Sequence, residues 1–232
     1  MKLRKTLYVG GEAVKLVSDD VLLSLRSPGR AVFQVQADGP LSGLVRFDVG
    51  YSTQDRDQTF FVGAVRESVT VDNGQQRLRC RELTCVLYQQ LHAALRHPTL
   101  PEVLQWYTDS TGLRFVVPER EYAARPVPYF YTLGDGFHGI GSLGEVFGIP
   151  DYIWQQQGDG SVFVGSWQDS RWASRPVTLT DKWFSKVTAD GGKRGPVLPQ
   201  LRPGVLLNGA YLTHVQLTGQ EMLTRCEKRL NG

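Results

Sequence analysis

The chain is short of the residues that mark most enzymes and exported scaffolds. It holds three cysteines in 232 residues, Cys80, Cys85 and Cys226. No C-x-x-C pair occurs, so neither a disulfide framework nor a zinc ribbon is encoded, and buried free thiols in a reducing compartment are expected. The four histidines, His92, His97, His138 and His214, are scattered without H-x-x-x-H spacing, which speaks against a metal site. Long apolar runs are missing too. Nothing approaches the ~20 residues of a membrane-spanning helix. The basic opening from Lys2 to Lys5 leads into Glu12 and Lys15 rather than a signal-peptide core, so a soluble, non-exported protein without membrane binding of its own is expected. An excess of one charge is also lacking. The net +3 is too mild for a nucleic-acid binder, and the densest basic groups, Lys2-Arg4-Lys5 and Arg225-Lys228-Arg229, read as solvated ends. G-x-S-x-G, H-E-x-x-H and a complete calcium loop are all absent.

What is present is strand pattern. In "FQVQA" Phe33, Val35 and Ala37 alternate with glutamines, and in "VRFDVGY" Val45, Phe47, Val49 and Tyr51 alternate with polar residues or glycine. Period two with one polar face predicts half-buried antiparallel strands. Ser27-Pro28-Gly29, Asp38-Gly39-Pro40 and Asp72-Asn73-Gly74 read as turns, the last joining a hairpin. The first eighty residues are thus expected to form an antiparallel sheet that curls into a barrel.

The period then changes. Leu83, Leu87, Leu91 and Leu95 recur every four residues and predict a helix of about three turns. Thr99-x-x-Glu102 is a capping box with Pro101 early in a second helix, whose face is Leu100, Val103, Leu104 and Tyr107 and whose stop is Gly112. "VPYFYT" (127–132) predicts a strand. "YIWQQQ" and "SVFVGSW", on either side of Gly158-Asp159-Gly160, predict a hairpin. Residues 181–204 read as loop, 209–219 as strand, and 220–231 as a short helix or a frayed strand.

The spacing G-x-G-x-x-G occurs twice, at Gly134-Gly136-Gly139 and at Gly139-Gly141-Gly144. A dinucleotide fold would need a parallel strand ending in an acid about twenty residues on. Asp159 has that distance but falls in the expected hairpin turn, and the phosphate-loop G-K-[ST] is missing. The favoured reading is a glycine loop leading into a short helix of Phe137, Ile140, Leu143 and Phe147, packed closely on a sheet. No cofactor is expected. Carboxylate pairs for sugar hydrolysis can be drawn, such as Asp135 with Glu145 or Asp109 with Glu119 and Glu121, but surface acids explain them equally. His138 reads as a residue at a helix start and not as a base. Tyr152, Trp154, Phe163, Trp167, Trp172 and Trp183 form an aromatic run. Core or subunit interface is the reading preferred. The alternative is a carbohydrate-binding β module, or a glycoside-acting tail protein, stacking sugars on surface tryptophans.

The stretch "GAVRESVTVDNGQQRLRCRELTCVL", followed by "HPTLPEVLQWYTDSTGLRF", "VPYFYTLGDGFHGIGSLGEVFGI", "IWQQQGDGSVFVGSW" and "LRPGVLLNGAYLTHVQLTG", resembles in order the phage tail and baseplate hub family. That family includes late-control proteins and the hub portion of type VI secretion spike proteins. The resemblance covers about residues 58 to 219. It implies an α+β, mainly β fold with two β-barrel-like domains and short helical insertions. The first domain would be discontinuous, 1–80 with 181–232, and the second would hold the helical insert, 81–180. It further implies a non-enzymatic homotrimeric ring joining the tail tube to a tip or spike. The setting would be the virion, assembled in bacterial cytoplasm, with DNA only as passing cargo. Larger family members continue into a further barrel and spike, so a separate protein is expected to supply the tip. The aromatic run then becomes a candidate subunit or partner interface.

Overall fold

The computed structural model describes residues 2–72, 74–188 and 191–230. Six strands open the chain: β1 (Leu3–Val9), β2 (Glu12–Ser24), β3 (Ser27–Gln36), β4 (Leu44–Tyr51), β5 (Gln58–Asp72) and β6 (Gln75–Glu82). They pair in the order β1-β4-β5-β6-β3-β2, and β2 returns to β1 at Leu7↔Val14, so the sheet closes on itself. The alternation in sequence explains this directly. Ala31, Phe33 and Val35 of β3 point inward with Val45, Phe47 and Val49 of β4, and Phe33 meets Phe47 with ring centroids 5.0 Å apart.

After Glu82 the chain leaves the ring through a 3-10 turn (Leu83–Tyr88). There follow β7 (Ala93–Arg96), α1 (Leu100–Thr111), β8 (Phe115–Val116), α2 (Glu121–Ala124), β9 (Tyr129–Thr132), α3 (Gly136–Val146), β10 (Tyr152–Gln156) and β11 (Val162–Ser166). β7 and β9 form a two-stranded ribbon, and β10, β11 and β8 a small sheet. These elements surround a second hydrophobic cluster that includes Leu87, Leu100, Tyr107, Ile140, Leu143 and Trp154. The chain then returns as β12 (Lys186–Val187), β13 (Lys193–Pro196), β14 (Leu206–Leu207), β15 (Ala210–Thr218) and β16 (Glu221–Glu227). β15 joins the free part of β2 with His214↔Ser24 through Thr218↔Asp20, which extends the ring's sheet. The fold is mainly β with few short helices.

Several expectations change. The leucine period at 83–95 does not make a three-turn helix. Glu82 offers no side-chain cap, and the backbone of 89–91 bonds instead to Gly134 and Gly136. Leu87 and Leu91 still reach the core. Tertiary pairing overrides local period here. Ser27-Pro28-Gly29 is strand and not turn; the reversal falls one step earlier, with Arg26 at a φ of 61°. Of the doubled motif only Gly134 precedes the helix; Gly136, Gly139, Gly141 and Gly144 lie inside α3 and not in a loop before it. Residues 186–187 and 193–196 are strand within the expected loop, and 221–227 resolve as strand. Of the three thiols only Cys80 is buried; Cys226 is exposed. Asn73 of the expected hairpin turn lies outside the described residues, although Asp72 pairs with Gln75 beside it. The capping box, the apolar face of α1 and the Gly112 stop form as the sequence reads.

Candidate functional site

Helix α3 answers the glycine motif. Asp135 caps it, accepting from the His138 amide at 2.8 Å. Gly139 and Gly144 face neighbouring aromatic residues. A methyl on Gly139 would collide with the Tyr107 hydroxyl, and one on Gly144 with the Tyr152 ring at 2.6 Å. Gly141 faces open space. The glycines let a helix lie close against tyrosines, a packing role that needs no phosphate. Asp159 sits in the β10–β11 turn, where Arg114 and Ser161 hold its carboxylate below the usual range against the opposing effect of burial. Among the described residues no group of three or more His, Cys, Asp or Glu is arranged to hold a metal. No helix there is long and apolar enough to cross a membrane.

The aromatic run is largely interior. Tyr152, Trp154, Phe163 and Trp167 are all buried. β10 and β11 carry one face toward the second core, with Tyr152, Trp154, Val162 and Val164. Their other face, with Ile153 and Phe163, meets a third cluster containing Trp167 and Leu230. A strand pair covered on both faces keeps these four rings largely in the interior, apart from the parts of Tyr152 and Trp154 that line a cleft beside α3. Trp172 is partly buried and donates its indole N–H to Gln155 at 3.2 Å. Trp183, 47% exposed, remains available.

Polar side chains stitch the second core to the ring. Gln156 accepts from the Thr84 amide at 3.0 Å and donates to the Val62 carbonyl at 2.8 Å. Gln155 donates to the Pro203 carbonyl, and the Trp167 indole to that of Gly204. Buried Arg202 donates to the Phe60 carbonyl at 2.6 Å. Buried Glu82 accepts the Gly29 amide at 2.6 Å. Burial pushes the Glu82 carboxyl up to about 7, with Arg202 and the Gly29 amide pulling the other way. Burial likewise lowers Arg202 to about 10. Each glutamine satisfies backbone groups that the passage between cores would leave bare. Nothing in the periodicity of "YIWQQQ" signals this.

Two outward features were legible in sequence and not singled out. One is the ribbon. On β9 Phe130 and Thr132 are buried, while Tyr129, Tyr131 and, just beyond, Leu133 are 58%, 72% and 75% exposed. Ala94 and Arg96 of β7 lie opposite Tyr131 and Tyr129 and are exposed as well. "YFYTL" alternates with period two, and its apolar members stand on both faces. Such a surface marks an interaction site. The other is "RLRCRE" on β6, where arginines alternate with buried residues. A cleft of about 610 Å³ also opens between Arg26-Ser27-Pro28 and α3, floored by Tyr152 and Trp154. Arg26 crosses it to the Tyr152 carbonyl at 2.6 Å.

No family model matches the sequence. A 58.7 kDa protein of Haemophilus phage HP1, itself uncharacterised, is 32% identical over 222 residues, covering 95% of this chain. The chain spans 41% of that protein's length. Among solved structures, the 43 kDa tail protein of prophage MuSo2 from Shewanella oneidensis superposes with a TM-score of 0.69 at 10% identity, covering 100% of this chain and 99% of that one. The tail protein of Neisseria meningitidis MC58 gives 0.65 at 12% identity, covering 97% and 96%. The Escherichia coli c3393 protein, a type VI secretion component similar to T4 tail proteins gp27 and gp5, gives 0.59 at 12% identity, covering 95% and 76%. The chain thus shares the fold of these phage tail proteins and of the type VI secretion component.

Proposed function

We propose that this protein is a non-enzymatic structural component of a phage tail, a hub whose three copies form a ring between the tail tube and the tip or spike. The observation that carries the reading is the near-complete superposition on tail proteins, taken with the apolar outer face of the β7–β9 ribbon. A ring needs a heterologous contact that closes on itself, and the two surfaces it joins differ. Tyr129, Tyr131 and Leu133 supply one such surface. Trp183, 47% exposed, and Val187 of the short edge strand β12, 62% exposed, supply the other. In this reading 1–80 with 181–232 form one domain and 81–180 a second. The protein is assembled in the host cytoplasm, and its neighbours are tube and tip proteins.

The test is mass by light scattering, alone and with the tail tube protein, for wild type and for Tyr131→Asp/Leu133→Asp. A mass of three chains in at least one mixture, lost in the variant while the melting temperature holds, supports the ring. A monomer in both mixtures rejects it.

A further inference from the structure

We propose that the outward face of β3, β5 and β6 docks an acidic, partly apolar segment of another protein. On β6, Arg77 and Arg79 are exposed and Arg81 half-buried, while the intervening Leu78, Cys80 and Glu82 turn inward. Side chains two residues apart on a strand rise about 6.6 Å along one face, so the three guanidinium groups form a row. Exposed Arg30 on β3 pairs directly opposite Arg81. Exposed Arg66 on β5 joins Arg79 and Arg81 around a hollow of about 330 Å³ that also touches Glu67, Cys85 and Tyr88. Five arginines thus share one face. Arg79 is neutralised by Glu67 at 2.7 Å. The side chains of Arg30, Arg66, Arg77 and Arg81 make no hydrogen bond or ion pair among the described residues. Of the further acids on the face, Asp20 opposite Val32 is engaged by Gln216 and Thr218, and exposed Asp72 stands at the hairpin end opposite Gln75, next to Arg77.

Like charges placed directly across two strands destabilise a sheet. Inside the protein Glu67 relieves this at Arg79 and Asp72 stands beside Arg77, while Arg30, Arg66 and Arg81 face solvent without a carboxylate partner. Carboxylates of a partner complete the compensation. The composition favours a protein over a phosphate backbone. Val32 pairs with Arg79 and Val69 with Arg77, both valines are exposed, and Tyr88 is 60% exposed at the hollow. No lysine is among them. Arginine with aromatic and apolar neighbours, and without lysine, is the make-up of protein interfaces. The hollow suits single carboxylate side chains, each taken by a planar guanidinium. The inference goes beyond the ring and does not depend on it, since the ribbon and β12 lie elsewhere in sequence.

The experiment measures fluorescence anisotropy of a labelled peptide alternating Glu with Leu, beside a labelled DNA duplex, on the full chain at low salt. The expected result is saturable peptide binding that exceeds DNA binding. It should weaken by about tenfold or more in Arg77→Glu/Arg81→Glu and fall as salt rises. Should charge reversal disturb the fold, Arg77→Gln/Arg81→Gln decides, with a smaller loss in the same direction. Duplex DNA bound more tightly than the peptide, no peptide binding, or binding unchanged in a folded variant would each overturn the proposal. The trimer mass is read in parallel; peptide binding lost with that mass retained separates this face from the ring contact.

Discussion

In the β1–β6 ring each strand hides one face and shows the other, whereas β10 and β11 hide both. The ring is held by apolar side chains converging on one interior, so its register follows from alternation alone. The β10–β11 pair lies between two apolar clusters, reaches the ring through Gln156 and Val62, and reaches the returning segment through Gln155 with Pro203 and the Trp167 indole with Gly204. Apolar packing is non-directional; polar stitching is not. The ring should therefore tolerate change that the seam and the helix behind it do not.

The largest effect should come from α3. Gly139→Val places a branched side chain into Tyr107 and should cost about 3 kcal/mol or more, read as a lower urea midpoint with a loss of near-ultraviolet signal. A volume-conserving change at a ring position of similar burial, such as Leu7→Met, should cost less than about 1.5 kcal/mol; equal losses would erase the contrast.

Glu82 sharpens it through pH. Its folded pKa is raised to about 7 from an ordinary 4.5, so the folded state holds the proton more tightly than the unfolded one. Stability is then fully present below about pH 4.5 and falls as pH rises through 7, by about 3 kcal/mol in all. Glu82→Gln should flatten that slope in denaturation curves taken across this window. An unchanged slope would mean that water reaches the carboxyl.

Gln156→Ala leaves the Thr84 amide and the Val62 carbonyl without their partner and should cost about 2 kcal/mol. Calorimetry should show the melting transition broadening as the two cores uncouple. A single sharp transition would place the coupling in the apolar contacts instead. The smallest effect has the opposite sign. Gly141→Ala in the same helix meets nothing within 4 Å and should stabilise by up to about 1 kcal/mol.

These differences also explain which parts the sequence reveals. The strands at "FQVQA" and "VRFDVGY", the α1 capping box and the β10–β11 hairpin follow from short-range pattern and form where it places them. The leucines from 83 to 95 mislead, because a strand pairing with residues 129–135 competes with the local period. In the aromatic run Tyr152, Trp154, Phe163 and Trp167 take the core part of the reading, because the strand pair that carries them packs on both faces. What the eye passes over is hydrophobic or cationic alternation without a named motif, in "YFYTL" and in "RLRCRE". Their outward members emerge only once the inward ones are placed.

The pairing of β15 with β2 joins residues 198 apart in the chain, as the Thr218–Asp20 hydrogen bond records. During synthesis the first six strands can find one another early, while the Asp20–Ser24 edge of β2 stays open until the returning strand is made. Everything between must already be threaded into place when that edge is sealed. Such distant closure is slow, and an open edge invites pairing with a neighbouring nascent chain. Yield in a host should therefore depend on how quickly translation reaches residue 218, with pauses in the intervening segment favouring aggregates.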